Sequence, residues 1–417
     1  MSAETKKETR ESWKTPIVMG SLAAVVLVFF GILGKPESVA FELTGVREAV
    51  QLPNIDVASN VLGIASGILL LAIAGFVAWQ VAKNIRSSIW LSIVFGAIAL
   101  VALLGWLAGG QVVPVAFILG SALVLAVPII LGAMAGVMSE RVGVVNIAIE
   151  GQLLTGAFMA SVVSTLTGNQ IIGILSAMIT AALFSAVLAV FAIRFLAQQI
   201  IVGVVLNVLA IGITNFLYQQ WVTEDESATN SPGTLPIIHI PFLGDIPIIG
   251  PVLFQNRIIV WLAIAIVIVL WFVLFKTKLG LRARAVGENP LAADTVGINV
   301  GRTRFWWVTL GGLLAGLGGA ALTIGSSGSF GREMSGGLGF IALAVVILGR
   351  WHPGYATAAA LLFGFSIILR VWANQVSPGI PTNFITMVPY IVTIIAVVGF
   401  VGRSRPPAAD GIPYVKG

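Results

Sequence analysis

A chain of 417 residues that is 58% hydrophobic and only 10% charged, with a mean hydropathy of +1.02, carries more apolar surface than one soluble core can enclose, and reads as an integral membrane protein. Zero cysteines exclude disulfide frameworks, thiolate metal sites, iron–sulfur clusters and cysteine nucleophiles together, and two separated histidines, His239 and His352, offer no cluster for a metal. The net charge of +6 does not point to nucleic acid, because the basic residues sort by membrane side instead of forming one patch.

The apolar runs are mostly about 17 to 25 residues long, the length of helix that crosses a ~30 Å hydrocarbon layer at ~1.5 Å per residue, and they lack the alternation of a lipid-exposed strand. They predict an all-α fold: a polytopic membrane helix bundle of about twelve transmembrane spans, some short or broken. The spans fall near 17–34, 61–82, 89–108, 113–138, 152–166, 171–193, 200–217, 258–275, 306–324, 337–349, 354–371 and 385–402. With the basic N-terminus inside, 18 of the 23 Lys and Arg lie in inward segments; only Lys35, Arg47, Arg257, Arg332 and Arg370 face outward. The longest outward loop carries Glu224, Asp225, Glu226 and Asp245 instead. This split places both termini in the cytoplasm of a multi-pass protein of the cell membrane.

Residues 1–110 read as an N-terminal extension with three plain apolar helices. Lys6 to Lys14, the run that follows and Ser38-Val39-Ala40 have the outline of a secretory signal, but the run is long for one and is expected to remain as the first span. A core follows over 111–403, then a cytoplasmic tail, 404–417. In the core the helices become rich in Gly, Ala, Ser and Thr, and Pro114, Pro128 and Pro389 are expected to distort spans.

The first polar segment of the core is Ser139-Glu140-Arg141-Val142-Gly143-Val144-Val145-Asn146-Ile147-Ala148-Ile149-Glu150-Gly151-Gln152. On a helix, Asn146 and Glu150 share one face, with Gln152 within reach of the same region. A carboxylate this near the bilayer is expensive unaided, so Glu150 either faces a wet path or pairs with Arg141 to fix the start of a helix. On the span 200–217, Asn207 and Asn215 lie eight residues apart near one face, and either bond a polar solute or bridge helices.

The loop 276–305 is the most polar inward segment. Asn289 before Pro290 is a good helix start and Gly297 a natural stop, leaving about two turns, roughly 10 Å, between them. A lone helix that short is unstable in water. Flanked by Arg282, Arg284, Arg302 and Arg304, it is either a surface turn in an ordinary positively charged loop or an element gripped by a soluble partner. In the next span, Gly312 and Gly316 at GxxxG spacing, with Ala315 and Gly319 beside them, predict close backbone approach deep in the bundle. The Gly clusters of 328–339 predict a broken or re-entrant helix, as irregular backbone is tolerated beside a cavity. Phe330, Phe340 and Trp351 either stack on a base or sugar or simply pack. His352 beside Arg350 reads as an inward cap rather than a proton relay.

The string Gly280-Leu281-Arg282-Ala283-Arg284-Ala285-Val286-Gly287-Glu288-Asn289-Pro290, with Ala292-Ala293-Asp294-Thr295-Val296-Gly297-Ile298, resembles the coupling-loop signature of ABC-importer permeases of the branched-chain amino acid and simple-sugar superfamily. The resemblance implies a short helix seated in a groove of a cytoplasmic ATPase, with Arg282, Gly287, Glu288, Asn289, Pro290, Ala293 and Asp294 as coupling residues. Residues 139–151 resemble the Ser-Glu-Arg-x-Gly-x-x-Asn-Ile-x-x-Glu-Gly signature of the nucleoside branch. Ala148 replaces its usual Gly, and Gln152 stands where Met is common. Glutamine there also occurs in the paired permease, so two paralogous subunit types stay open. The residues from Gly328 to Pro353 are similar to this family too, and the resemblance extends over about 112–402.

It implies a permease subunit without enzymatic activity that moves nucleosides inward, or alternatively a simple sugar such as ribose. The substrate path would include Asn146, Glu150, Gln152, Asn207, Asn215, Phe330 and Phe340. The implied partners are an ABC ATPase that uses ATP and Mg, a second, paralogous permease that makes a heterodimer, and an extracytoplasmic substrate-binding lipoprotein. No cofactor is expected on this chain. No Gly-x-x-x-x-Gly-Lys-Ser/Thr P-loop occurs in it, so the nucleotide would be hydrolysed elsewhere. An ion-coupled secondary transporter, the less favoured alternative, would need charges at span centres, which here are nearly charge-free. A membrane-embedded enzyme would need clustered His, Asp or Glu, and only Glu140 and Glu150 come close.

Overall fold

A computed structural model of the chain describes residues 13–45, 48, 50–85, 87–376, 387 and 405–416. The expected span 385–402, Pro389 with it, lies outside the described residues apart from Met387.

The long helices follow the apolar runs in order. They are α1 (Lys14–Val25, continued by π-helical turns over Val26–Ile32), α2 (Ser59–Ala82), α3 (Ile89–Ala108), α4 (Val115–Glu140), α5 (Ile149–Thr167), α6 (Gln170–Ile193) and α7 (Gln199–Leu217). A single turn, α8 (Glu226–Thr229), breaks the long loop that follows. Then come α9 (Ile258–Lys276), α10 (Lys278–Glu288), α11 (Pro290–Thr295), α12 (Val300–Leu322), α13 (Leu338–Leu348) and α14 (Pro353–Val376). Among the described residues ten helices are long and apolar enough to cross a membrane, two fewer than expected. The expected span 337–349 is α13, and its 11 residues extend only about 16 Å, roughly half the hydrocarbon thickness.

The fold is mostly helical but not purely so. β1 (Ser38–Glu42) pairs antiparallel with β2 (Ile55–Ala58) and parallel with β3 (Val112–Pro114), with Val39 opposite Val57 and Phe41 opposite Val113. β4 (Ile237–His239) and β5 (Gln255–Arg257) form a two-stranded ribbon. These strands sit in the connections between spans and are too short to register as periodic runs. Pro114 accordingly ends a strand, whereas Pro128 does lie inside α4.

The chain divides into two compact units. One comprises the described parts of Met1–Ile118, Asp245–Ile249 and Leu369–Phe400; the other those of Leu119–Gly244, Gly250–Ile368 and Val401–Gly417. The first is cored by Met19, Ala23 and Val26 of α1 and its continuation, Leu70, Ala74 and Val77 of α2, and Phe95 and Ala102 of α3.

In the second unit, α12 runs between α5 and α6 at backbone contact. A Cβ at Gly312 would run into Ser185 and Ala181, one at Gly316 into Ala177, and one at Gly319 into Leu153 and Ala157. The small-residue ridge is therefore what lets three helix backbones pack against one another, as its spacing predicts. A second core joins α4, α9, α13 and α14 through Met134, Leu270, Val346 and Ala360.

Candidate functional site

The segment between α4 and α5 folds on its own polar groups. Asn146 and Gln152, both fully buried, exchange amide hydrogen bonds at 3.2 and 3.3 Å. Asn207 of α7 bridges the same turn: its Oδ1 accepts the Gly151 N–H at 2.8 Å and its Nδ2 donates to the Ile147 carbonyl at 2.9 Å. Gln199, at the start of α7, accepts the Val145 N–H at 2.8 Å. Of the two readings of Asn207, the helix-bridging one describes its geometry.

Glu150 does not pair with Arg141. Its carboxylate accepts from Ser335 Oγ at 2.7 Å, the Gly337 N–H at 2.8 Å and the Gly339 N–H at 2.6 Å. These are donors at and just before the N-terminus of α13, whose free N–H groups and positive dipole end favour an anion, and charge-assisted bonds of this kind are about twice as strong as neutral ones. Gly339 permits the approach, since a Cβ there would collide with the Glu150 backbone. Gly337, at φ 86°, turns the chain into the helix. Arg141 instead donates from Nε to the Trp351 carbonyl at 2.9 Å, and the Trp351 indole N–H donates to Glu140. Both ends of α13 are thus fastened to the 139–150 segment.

The loop preceding α13 is the broken helix the glycines predict. After α12 come π-helical turns over Thr323–Ser327 and turns up to Gly337. Phe330 is 2% exposed and its ring is enclosed, edge-on to Phe158 at 5.2 Å and tilted against Tyr218 at 5.9 Å. Asn230, itself buried, holds the Phe330 backbone through both N–H and carbonyl, and also accepts from Ser161. Asn215 lies beside this cluster, its Nδ2 3.3 Å from Glu333 Oε1. Phe340, on α13, is 50% exposed. The structure therefore gathers Asn146, Glu150, Gln152 and Asn207 into one network with the start of α13. Asn215 and Phe330 belong to a different cluster, at the other end of α7.

The loop 276–305 forms two helices, α10 and α11. Asn289 caps α11 by accepting the Ala292 N–H at 3.0 Å, Pro290 takes the first helical position, and Gly297 at φ 84° follows the last turn. Gly287 and Ala293 are buried, with Ala283, Val286 and Ala293 packed on Val142, Val144 and Ala148. Arg282, Glu288, Leu291 and Val296 point outward, Leu291 62% and Val296 75% exposed.

Residues 405–416 lie against this same end. Arg304, which is buried, donates from Nε to the Val142 carbonyl and from Nη1 to the Ile412 carbonyl, both at 3.0 Å. Burial raises the Asp410 carboxyl to about 7, against the opposing pull of the Gly411 N–H and the Arg304 guanidinium. His352 accepts the Gly354 N–H at the start of α14 and stacks 5.0 Å from Phe275. Burial, then the nearby Arg141, holds its pKa below the ordinary value.

Sequence reasoning missed Arg304, Ser335, Asn230 and Gln199. Arg304 reads as one more inward charge. The others are ordinary polar residues whose partners lie between 54 and 185 positions away. Among the described residues no group of three or more His, Asp or Glu could hold a metal.

Nearly every polar side chain of the network is satisfied by another part of the chain. It ties the start of α13 to the segment between α4 and α5, and that segment to α7, in a multi-pass membrane protein. The chain belongs to the branched-chain amino acid transport system / permease component family, whose profile matches residues 118–397. It is 42% identical to the guanosine ABC transporter permease protein NupQ of Bacillus subtilis over 309 residues, 72% of this chain and 97% of that protein. It is 41% identical to the nucleoside ABC transporter permease protein NupC of Lactococcus lactis subsp. cremoris, over 72% of this chain and 96% of that protein. The guanosine ABC transporter permease protein NupP of Bacillus subtilis is more distant, at 27% over 80% of this chain and 90% of that protein. No solved structure matches the chain.

Proposed function

We propose that this chain is a transmembrane permease subunit of an ATP-driven ABC importer that carries nucleosides across the cytoplasmic membrane. The observation that carries the reading is the geometry of α11: a capped, two-turn helix whose inner side is anchored while Leu291 and Val296 stand free. A helix that short needs outside contacts to persist, and an exposed apolar pair on an anchored helix suits a groove in a soluble partner. The names of the relatives supply the cargo class.

The partner is a separate ATPase that uses ATP and Mg, since this chain carries no P-loop. The end bearing α10, α11 and residues 405–416 then faces the cytoplasm, in keeping with the positive-inside rule. Two Bacillus subtilis proteins named as guanosine permeases, one at 42% and the other at 27% identity, support a paralogous second permease, with this chain the NupQ-like member. A substrate-binding lipoprotein on the outer face completes the assembly. In it, Glu288, Asn289, Pro290, Ala293 and Asp294 shape the docking helix. Arg282 lies on its approach.

The test is uptake of labelled nucleosides and of ribose into vesicles holding the assembled complex, with and without ATP and an ionophore. ATP-dependent, ionophore-insensitive nucleoside uptake is expected. Uptake that persists without ATP and collapses with the ionophore would assign the chain to secondary transport, and preference for ribose would move the cargo to sugars.

A further inference from the structure

The docking helix is held from inside by the end of the chain. The Ala409 N–H donates to the Gly287 carbonyl at 2.8 Å, and the Ala408 N–H to Glu288 Oε2 at 3.3 Å. The Tyr414 hydroxyl lies near the Asp294 carboxylate without a hydrogen-bond partner among the described residues. Among the described residues, the hydrogen bonds that reach segment 278–299 from beyond its immediate neighbours come from Ala408 and Ala409. Its other attachments to the 141–148 turn are apolar packing, which is not directional, and the attraction between Glu288 and Arg141.

Arg304 completes the joint. One guanidinium spans the Val142 carbonyl on the signature turn and the Ile412 carbonyl on the tail. Two glycines let the three backbones meet: a Cβ at Gly143 would press on the Ala409 carbonyl, and one at Gly287 would run into the Arg141 carbonyl. Three separate parts of the sequence therefore converge on one junction. From Val142 the chain runs on through Ile147, which Asn207 ties to Gly151, to Glu150, whose carboxylate holds the start of α13.

We propose that residues 405–414 form a strap that, with Arg304 as its positioning residue, fastens the docking helix to the 141–148 turn. Displacement of α11 is thereby delivered to Glu150 and the half-helix α13. This inference rests on the permease reading above, because it assigns the strap a part in coupling.

Two measurements test it. In the full complex, uptake per ATP hydrolysed is compared for the intact chain, a chain ending after Pro406, Arg304→Lys and the control Lys416→Gln. A lysine keeps the charge facing Asp410 but cannot bridge two carbonyls as a planar fork does. Losing one or two hydrogen bonds of ~1 kcal/mol each is expected to lower uptake per ATP about tenfold in the truncated and Arg304→Lys proteins, with Lys416→Gln unchanged. In the purified permease, amide exchange over 288–295 is expected to speed up about tenfold on truncation, by the same arithmetic.

Unchanged coupling in Arg304→Lys, or unchanged exchange in the truncated chain, overturns the strap. If truncation prevents accumulation, Arg304→Lys is read by both measurements instead. If the intact complex shows no ATP-driven uptake, the permease reading falls, and the exchange rates still decide whether the tail holds the helix.

Discussion

Glu150 shows how much a single side chain can decide. Burying a carboxylate beside a bilayer is costly, and here three donors around a helix start offset that cost. Glu150→Gln places an NH2 group against at least one of those donors. It is expected to lose about 1.5–3 kcal/mol, seen as a lower thermal midpoint of the detergent-purified protein and as impaired uptake. Ser335→Ala removes one of the three bonds and should cost less, about 1 kcal/mol. If Ser335→Ala left both stability and uptake unchanged, the capping role of Glu150 would be in error. Spacing alone brings Asn146, Glu150 and Gln152 to notice, because they lie within one short stretch. Ser335, 185 residues from Glu150, is legible only after folding, since no local pattern links a serine in a glycine-rich loop to a distant carboxylate.

At the scale of elements, α11, α12 and the tail each have one exposed liability. The expected docking contacts are Leu291 on α11 and Val296 just past its end. Leu291→Asp should weaken co-purification with the ATPase by about tenfold or more, the loss of a ~1.5–3 kcal/mol apolar contact, without lowering permease stability. On α12, Gly316→Leu forces a side chain into the Ala177 and Met178 backbone; overpacking of this kind costs about 1–3 kcal/mol and should show as reduced accumulation in the membrane.

On the tail, Asp410 is poised to make docking pH-sensitive. Its Oδ1 is buried without a hydrogen-bond partner, with Arg304 and Glu140 as the charged neighbours. A carboxyl raised from 3.8 to about 7 by burial favours the docked tail fully when protonated, and that contribution is lost as pH rises towards 7. The cysteine-free chain allows a clean readout. Thiol labelling of Ala409→Cys, normalised to Lys416→Cys to remove the intrinsic pH dependence of the thiol, should quicken between pH 5 and 8, a window spanning that value of about 7. Adding Asp410→Asn should weaken the trend.

For the whole molecule, the decisive quantity is sidedness. The tail shares an end of its unit with α10, α11 and the turn after α4, so all of them must face the same compartment. An impermeant maleimide should label Lys416→Cys only after the cells are permeabilised, and should label Asp225→Cys, in the opposite loop, without permeabilisation. Labelling of Lys416→Cys in intact cells would reverse the orientation and remove the docking role of α11.

Composition, run length and charge placement by themselves determined the membrane class, the main helices in order, the capped helix of 290–295 and the broken segment before α13. Each depends on residues close together in the chain. The span count is ten among the described residues because the expected span 385–402 lies outside them and because hydrophobic length does not separate an 11-residue half-helix from a crossing one. The two sheets escaped notice because strands of three to five residues are too short to show a period. Only tertiary structure decided what holds α13 and α11 in place. Glu150 with Ser335, Arg304 with Val142 and Ile412, and Gly287 with Ala409 are satisfied across more than a hundred residues, and buried polar groups find such partners only once the helices between them have packed.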